Sequence, residues 1–411
     1  MFEDIKILIE YLHHKDINLA IEIIEKSNLS NYQKALLYSE IWLYDKSNEL
    51  LGNDFLDIVE RGRNYNGMHH FQKTVDLLLP YENVDDFMCK NALGVALYYI
   101  GEKEKSFQLF LQLLNYNVPL ETIRQLKAQL STHYFEVNEF KKACEYLHMN
   151  DRSDFKNPYW NGIIQPGKQI ILGYNGGIGD QLVCARFYKH FDDLGMFPII
   201  HTEKDDLCEL FNNNGYKTTV DISEYDCPIV NIRDNVCDIP HKLDLDYDDV
   251  WYGPYLKPSS EAISKFTDCQ GIGLKISGNT KFLFNDTRLI DLDKIIKAIK
   301  AVYPNKQIYS MHVDEVIDHP DVKTVNLSSV DDTMGLIHNM DMVISSCTST
   351  AHMTGSMGKK LFVFSAINPF YTWVKHNGKM VWYDDDLTYV HYQTKFADWD
   401  YSLIEKELHA F

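Results

Sequence analysis

The sequence predicts an α/β protein with an all-α N-terminal region, and three observations carry that expectation. Through the first 150 residues, apolar positions recur at three- and four-residue spacing, the period of helices that bury one face. Beyond residue 168, short β-rich apolar runs alternate with helical stretches, the pattern of parallel sheets with covering helices. Between the two lies a stretch with the Pro, Gly and Asn content of a linker. The 411 residues leave room for two or three domains at ~100–200 residues each. With 45% apolar and 24% charged residues the chain has ample area for a core, which excludes disorder as its main state.

In residues 1–150 the helical spacing is explicit in Ile5, Leu8, Ile9 and Leu12, and again in Leu109, Phe110, Leu113 and Leu114. Only Pro80 and Pro119 interrupt it. Breaks such as Gly101-Glu102-Lys103-Glu104 suit turns between antiparallel helices. The stretch from Asn91 to Phe110 resembles a tetratricopeptide repeat (TPR). Gly94 would let the paired helices approach, Gly101 would sit in the turn, and the small Ser106 would pack at the crossing. A second copy runs from Tyr134 to Leu147, and Ala20 and Thr74 echo the small crossing residue. The turns at Gly101 and Asn138 are spaced slightly wider than the ~34-residue unit of such repeats. An irregular helical bundle is the plainer alternative.

Residues 151–167 form the expected linker, with Asn157-Pro158, Trp160, Gly162 and Pro166-Gly167. Strands are expected at 169–174, 197–201, 228–232, 271–276, 307–311, 322–327, 342–345 and 361–364. Helices are expected at 181–194, 289–302 and 333–339. That length suffices for two Rossmann-like domains, 168–260 and 261–397. The tail 398–411 reads as an amphipathic helix, expected to return and pack on the first of the two.

The 40 basic against 59 acidic side chains leave a net charge of −19, which disfavours nonspecific binding to nucleic acid or anionic lipid. No apolar run reaches the ~18–20 residues that span a bilayer. Met1-Phe2-Glu3-Asp4-Ile5-Lys6 lacks the order of a signal peptide. The eight Cys residues contain no C-x-x-C pair, so reduced thiols in a cytoplasmic protein are expected.

Two loops carry the chemistry. Gly176-Gly177-Ile178-Gly179-Asp180 follows the first expected strand and opens a helix. Glycines there let backbone N–H groups approach a ligand, and the helix N-terminus favours an anion. Neither the Walker loop nor the G-x-G-x-x-G dinucleotide spacing matches. Asp180 is read either as an acid interacting with the helix dipole or as a base able to take a proton from an acceptor hydroxyl. The second loop is Cys347-Thr348-Ser349-Thr350, where a strand runs into a hydroxyl-rich turn that starts a helix. Hydroxyls and free N–H groups suit a diphosphate, although an ordinary N-cap selects the same residues. His352 lies one helical turn past Thr348, so both can face one ligand.

Taken in order, these segments resemble the heptosyltransferase-like (family 9-like) glycosyltransferases, in particular the branch in which tetratricopeptide repeats precede a two-domain sugar-transfer module. The loop Gly176–Asp180 matches the family's Gly-Gly-x-Gly-Asp. Leu274–Lys281 contains Ser277-Gly278-Asn279, with Arg288 downstream; Cys347–Lys359 and the aromatic segments Pro369–Trp373 and Trp382-Tyr383 complete the set. The resemblance spans roughly residues 168–395. Cys347 replaces the family's usual Asp, and Tyr371-Thr372-Trp373 stands for Trp-Arg-Trp.

The resemblance implies a GT-B fold, with residues 168–260 on the acceptor side and 261–397 holding the nucleotide sugar. It implies inverting, metal-independent transfer from a nucleotide-diphosphate sugar, a donor substrate rather than a cofactor. Asp180 would be the catalytic base, and Lys281 or Arg288 would offset charge on the departing diphosphate. Ser277, Asn279, Thr348, Ser349, Thr350 and His352 would bind the donor, and Gly176, Gly177 and Gly179 would shape the loop. The acceptor stays open among glycan, protein and lipid-linked sugar; a modified base in DNA is less favoured by the charge. The helical repeats would offer a surface to a protein partner. The alternative function is a TPR-type scaffold whose degenerate transferase module only binds, and Cys347 is the residue that favours it. The acidic run from Asp244 to Asp249 reads as a solvated loop rather than a metal site, and His13-His14 and His69-His70 as surface residues. Trp251, Tyr252 and Tyr255 suit either packing or stacking on a sugar.

Overall fold

The computed structural model describes residues 2–147, 157–173, 176–231, 237–278, 285–313 and 316–411. Residues 151–156 of the expected linker, with Asn279, Thr280 and Lys281 of the expected donor segment, lie outside these. The chain forms two compact units, Met1–Leu126 and Lys127–Phe411.

The first unit is built of helical hairpins. The pairs Ile17–Lys26 with Phe2–His13, Asn31–Glu40 with Tyr44–Leu50, Phe55–Gly67 with Phe71–Leu78, and Phe87–Tyr99 with Lys103–Leu113 follow one another. One device recurs at the crossings. A small hydroxyl on the second helix donates to the carbonyl of a glycine on the first. Thr74 Oγ1 bonds Gly62 O at 2.9 Å, and Ser106 Oγ bonds Gly94 O at 2.7 Å. A Cβ on Gly94 would meet the Phe110 ring at 3.2 Å, so glycine is what permits the approach. Gly101 turns the chain with φ +93°.

The compact helical unit ends at Leu126, whereas the helical pattern continues to residue 150 in sequence. The reason lies in the next hairpin, made from the end of Leu120–Glu136 and Phe140–Leu147. Its Phe135 and Phe140 are buried. Phe135 stacks on Tyr371 at a centroid distance of 6.2 Å and Phe140 packs tilted against Trp382 at 6.3 Å, so this hairpin belongs to the α/β core. Asn138 Oδ1 accepts from Asn377 N, and Lys141 pairs with Asp244. Phe140→Ala is therefore expected to destabilise the second unit by about 3–5 kcal/mol. Separate unfolding probes on the two units check this; a shift seen only in the helical unit would overturn it.

The second unit holds two parallel sheets in succession. The first comprises β1 (Gln169–Gly173), β2 (Phe197–His201), β3 (Thr218–Thr219) and β4 (Ile229–Asn231), ordered β3-β2-β1-β4. The second comprises β5 (Ile272–Lys275), β6 (Ile308–Ser310), β7 (Val322–Lys323), β8 (Met342–Ser346), β9 (Leu361–Ser365) and, past the hairpin of β10 (Lys375–His376) and β11 (Lys379–Met380), β12 (Thr388–Tyr392). Its order is β12-β9-β8-β5-β6-β7. The central strands are continuous apolar runs buried on both faces, as parallel sheets require. A helical unit followed by two parallel α/β sheets is the fold class expected from sequence.

The final helix, Tyr401–Ala410, corrects one expectation. It does not return to the first sheet as its main contact. Trp399, Ile404 and Leu408 join Ile295, Ile299, Phe362 and Phe364 in the core of the second sheet, where the helix lies on Leu292–Val302. Its apolar stripe finds the nearest matching face, with Tyr303 Oη donating to Leu408 O.

Candidate functional site

Sheet order locates the site. In the first sheet the chain moves outward from β1 to β2 and β3, then returns to the other side of β1 as β4. In the second it moves from β5 to β6 and β7, then returns beside β5 as β8. At each reversal neighbouring connections leave in opposite directions, and a crevice opens at the carboxyl ends of the strands. The loop Gly176-Gly177 lies beyond the end of β1, Ser277-Gly278 beyond the end of β5, and Cys347-Thr348-Ser349 beyond the end of β8.

Close packing joins the two loops. The helix Ile178–Ala185 lies on the helix Ser349–Ser356. A Cβ on Gly179 would sit 2.7 Å from His352 Cδ2, 3.5 Å from its Nε2 and 3.4 Å from Ser349 Cα. Only glycine allows that approach, so the loop of Asp180 and the hydroxyl turn become one site.

Asp180 is half-buried in the first turn of its helix. Its Oδ2 accepts from Gly177 N at 3.1 Å. Gln181 Nε2 donates to Gly176 O at 3.1 Å, and Gln181 Oε1 accepts from Thr202 Oγ1 at 2.6 Å, which pins the loop to the end of β2. Burial raises the Asp180 carboxyl above its ordinary value, and the N–H bonds from Gly177 and its own backbone only partly offset it.

Thr348 is the N-cap residue of Ser349–Ser356, yet its hydroxyl makes no cap bond. Thr348 Oγ1 lies 3.2 Å from Ser345 Oγ instead. Thr350 is buried and Ser349 half-buried. Arg288 reaches the same turn: its Nη1 donates to Cys347 O at 2.6 Å and its Nε to Asn285 Oδ1 at 3.3 Å. Asn285 Oδ1 also accepts from Gly278 N, and a Cβ on Gly278 would overlap Arg288 Nη2 at 2.2 Å. Ser277, Arg288, Thr348, Ser349, Thr350 and His352 thus stand at or just beyond the ends of β5 and β8, and His352 and Ser349 meet the loop of Gly176, Gly177, Gly179 and Asp180 at Gly179. The Cys347 side chain takes a structural bond, its Sγ accepting from Trp373 Nε1 at 3.1 Å.

His352 is buried, with Nδ1 2.7 Å from Tyr383 Oη and its ring stacked on Trp373 at 4.9 Å. Burial, then the charge of Arg186, lower it to about 3. His312, at the end of β6, accepts from Ile276 N through Nε2 and is lowered to about 4 by burial and the Lys275 charge. Both imidazoles regain the ordinary value near 6.5 when the chain unfolds. The unfolded state then binds more protons below pH ~6.5, so their contribution is complete above that pH and is lost as pH falls toward 4 and 3. The slope is up to about 1.4 kcal/mol per pH unit for each imidazole. The raised Asp180 carboxyl acts in the opposite sense, in the low-pH part of the window. Denaturant unfolding is expected to show falling stability between pH 6.5 and 4.5, and His352→Gln to flatten that fall. A variant curve parallel to the parent's would refute the assignment to His352.

Several residues here were invisible to sequence reasoning. Arg186 stood as a single cation in an apolar helical run, which is also the signal that could have marked it. Tyr255 is buried against its guanidinium rather than open to a sugar. The hydroxyls of Ser346, Ser365 and Thr372, at and beyond the ends of β8 and β9, are buried with no hydrogen-bond partner among the described residues. In the acidic run, Asp246 caps the turn Tyr247–Asp249, and Asp244 pairs with Lys141. Among the described residues no group of three or more His, Cys, Asp or Glu side chains is placed to hold a metal ion. No described helix is long and apolar enough to cross a membrane, and all eight cysteines are free thiols.

Fold and site define a two-sheet α/β protein with an anion-suited turn facing a carboxylate. No family model matches the chain, and no curated protein matches it. Among solved structures, the chain is similar to a glycosyl transferase family 9 protein from Veillonella parvula at 8% identity, covering 61% of this chain and 91% of that one with a TM-score of 0.39. It is also similar to a mutant O-GlcNAc transferase from Thermobaculum terrenum at 10% identity, covering 91% of this chain and 85% of that one with a TM-score of 0.33.

Proposed function

We propose that the chain is an inverting, metal-independent glycosyltransferase of GT-B type that moves a sugar from a nucleotide-diphosphate donor to a hydroxyl acceptor. One observation carries this reading. The Asp180 loop and the Thr348 turn, each at the reversal point of its own sheet, are held together through Gly179 and His352. Asp180 takes the proton of the acceptor hydroxyl as its oxygen attacks the anomeric carbon, and the bond to the diphosphate breaks on the opposite face. The raised carboxyl is a better base than an exposed aspartate. The uncapped N-terminus of Ser349–Ser356, with the hydroxyls of Thr348, Ser349 and Thr350, suits the diphosphate. Arg288 supplies positive charge at the leaving group, and Ser277 stands just beyond the end of β5. Asn279, Lys281 and a cytoplasmic location belong to the same proposal, as do the acceptor classes (glycan, protein or lipid-linked sugar) and a protein partner for the repeats.

The second reading is a binding module without turnover. Cys347 favours it, because its thiol is committed to Trp373 and contributes no carboxylate to the turn. Thermal-shift screening against UDP, GDP, ADP and CDP, followed by hydrolysis assays of the matching nucleotide sugars with Asp180→Ala as control, separates the two. Stabilisation by a nucleoside diphosphate with Asp180-dependent turnover supports the transferase. Binding without turnover on any donor leaves the scaffold.

A further inference from the structure

Arg186 has no part in the proposed chemistry, yet its side chain is 0% exposed. Its Nε donates to Val183 O at 2.9 Å, its Nη2 to Tyr255 Oη at 3.0 Å, and its Nη1 to Trp382 O. The guanidinium carbon lies 5.0, 5.2 and 4.9 Å from the ring centres of Tyr255, Trp382 and Tyr383. Among the described residues no carboxylate pairs with it. Burying a cation without a counter-charge is costly, and here only carbonyls, a phenol and three ring faces compensate. An apolar side chain of similar volume would serve packing alone at least as well.

What the guanidinium touches suggests why it is there. Tyr383 turns one face to Arg186 and its hydroxyl to His352 Nδ1, at 2.7 Å. Trp373 stacks on both rings, 5.2 Å from Tyr383 and 4.9 Å from His352. The opposite edge of the imidazole, Cδ2 and Nε2, is the one that abuts Gly179. A continuous chain of contacts therefore runs from Arg186 through Tyr383 and His352 to the glycine loop.

We infer that Arg186 is a positioning residue of the candidate site, which through Tyr383 fixes the ring of His352 against Gly179, between the glycine loop and the hydroxyl turn. A planar fork suits the task, since it donates in three directions while stacking on flat rings, and a lysine ammonium has three donors but, as a point charge, no plane to stack. The guanidinium charge also disfavours a proton on His352, second to burial. The consequence for ligand binding rests on the transferase reading; the effect on His352 does not.

Arg186→Met keeps the stem and volume and removes the fork and the charge. In the full-length protein, the ring 15N and 13C resonances of His352, assigned by their loss in His352→Gln, are expected to shift and broaden. Affinity for the best-bound of UDP, GDP, ADP and CDP is expected to fall about tenfold, with Arg186→Lys restoring only part. A folded Arg186→Met protein with unchanged His352 resonances would overturn the inference. Should that variant not fold, Tyr383→Phe keeps Arg186 and its ring wall and removes the hydroxyl that bonds His352 and also contacts Tyr255; unchanged resonances there overturn it equally. If the parent chain binds none of the four nucleotides, the transferase reading fails while the resonance measurement still decides the role of Arg186.

Discussion

Asp180→Asn protein is expected to fold, to bind a nucleoside diphosphate as tightly as the parent chain, and to lose sugar transfer by about 10²–10⁴-fold. The amide oxygen can still accept from Gly177 N, and the bonds of Gln181 to Gly176 and Thr202 do not involve the carboxylate, so the loop keeps its shape. What disappears is the basic oxygen. The donor site proposed above lies on the other sheet, at Ser277, Arg288 and Thr348–Thr350, so the loss is expected in kcat, with donor KM near its parent value. The pH profile of the parent follows with a definite sign. In the proposed mechanism the base is the ionised carboxyl, whose pKa burial raises, so kcat/KM is expected to fall with acid earlier than an exposed aspartate would allow. Transfer at parental rate by the asparagine variant would remove Asp180 from the mechanism.

The second large effect is expected at Gly179. An added methyl at Gly179 meets His352 Cδ2 at 2.7 Å and the Ser349 backbone at 3.4 Å. Neither can give way. The ring is held between Trp373 and the Tyr383 hydroxyl, and the helix behind it is buried from Thr350 to Ser356. Gly179→Ala should therefore destabilise the second unit by about 1–3 kcal/mol, the usual range for overpacking. It should also weaken nucleoside diphosphate binding, because the two loops are pushed apart. Gly177→Ala is the informative comparison. That position has φ −63°, and its nearest contact for a Cβ is Asp180 Oδ2 at 3.3 Å, the end of a side chain. Denaturant unfolding and calorimetric titration of both variants check the contrast; equal behaviour at the two positions would contradict the close-approach argument.

Much of the architecture was legible because it is written in local periods. The 3.6-residue spacing marked the helical hairpins, and the glycine and serine at their crossing, Gly94 and Ser106, were readable as a pair that lets helices touch. The long apolar strands β1, β2, β8 and β9 stood out for the same reason. Strands β3 and β12 did not. The first is two residues long, and the second follows the polar turn Asp384-Asp385-Asp386 and, at the sheet edge, pairs with β9 alone.

The two loops of the candidate site were visible as composition, glycines at 176–179 and hydroxyls at 348–350, because backbone approach and N-terminal anion sites restrict residue type locally. Which faces meet is a different kind of information. That Gly179 touches His352, that Arg186 lies under Tyr383, that the hairpin of Phe135 and Phe140 joins the α/β core and that the last helix lies on Leu292–Val302 are long-range pairings. A periodic stripe says that a face will be buried, not against what. The sequence by itself determined the elements, their order and the chemical character of two loops; only tertiary packing decided their partners, because burial energy depends on apolar area and not on the identity of the surface that covers it.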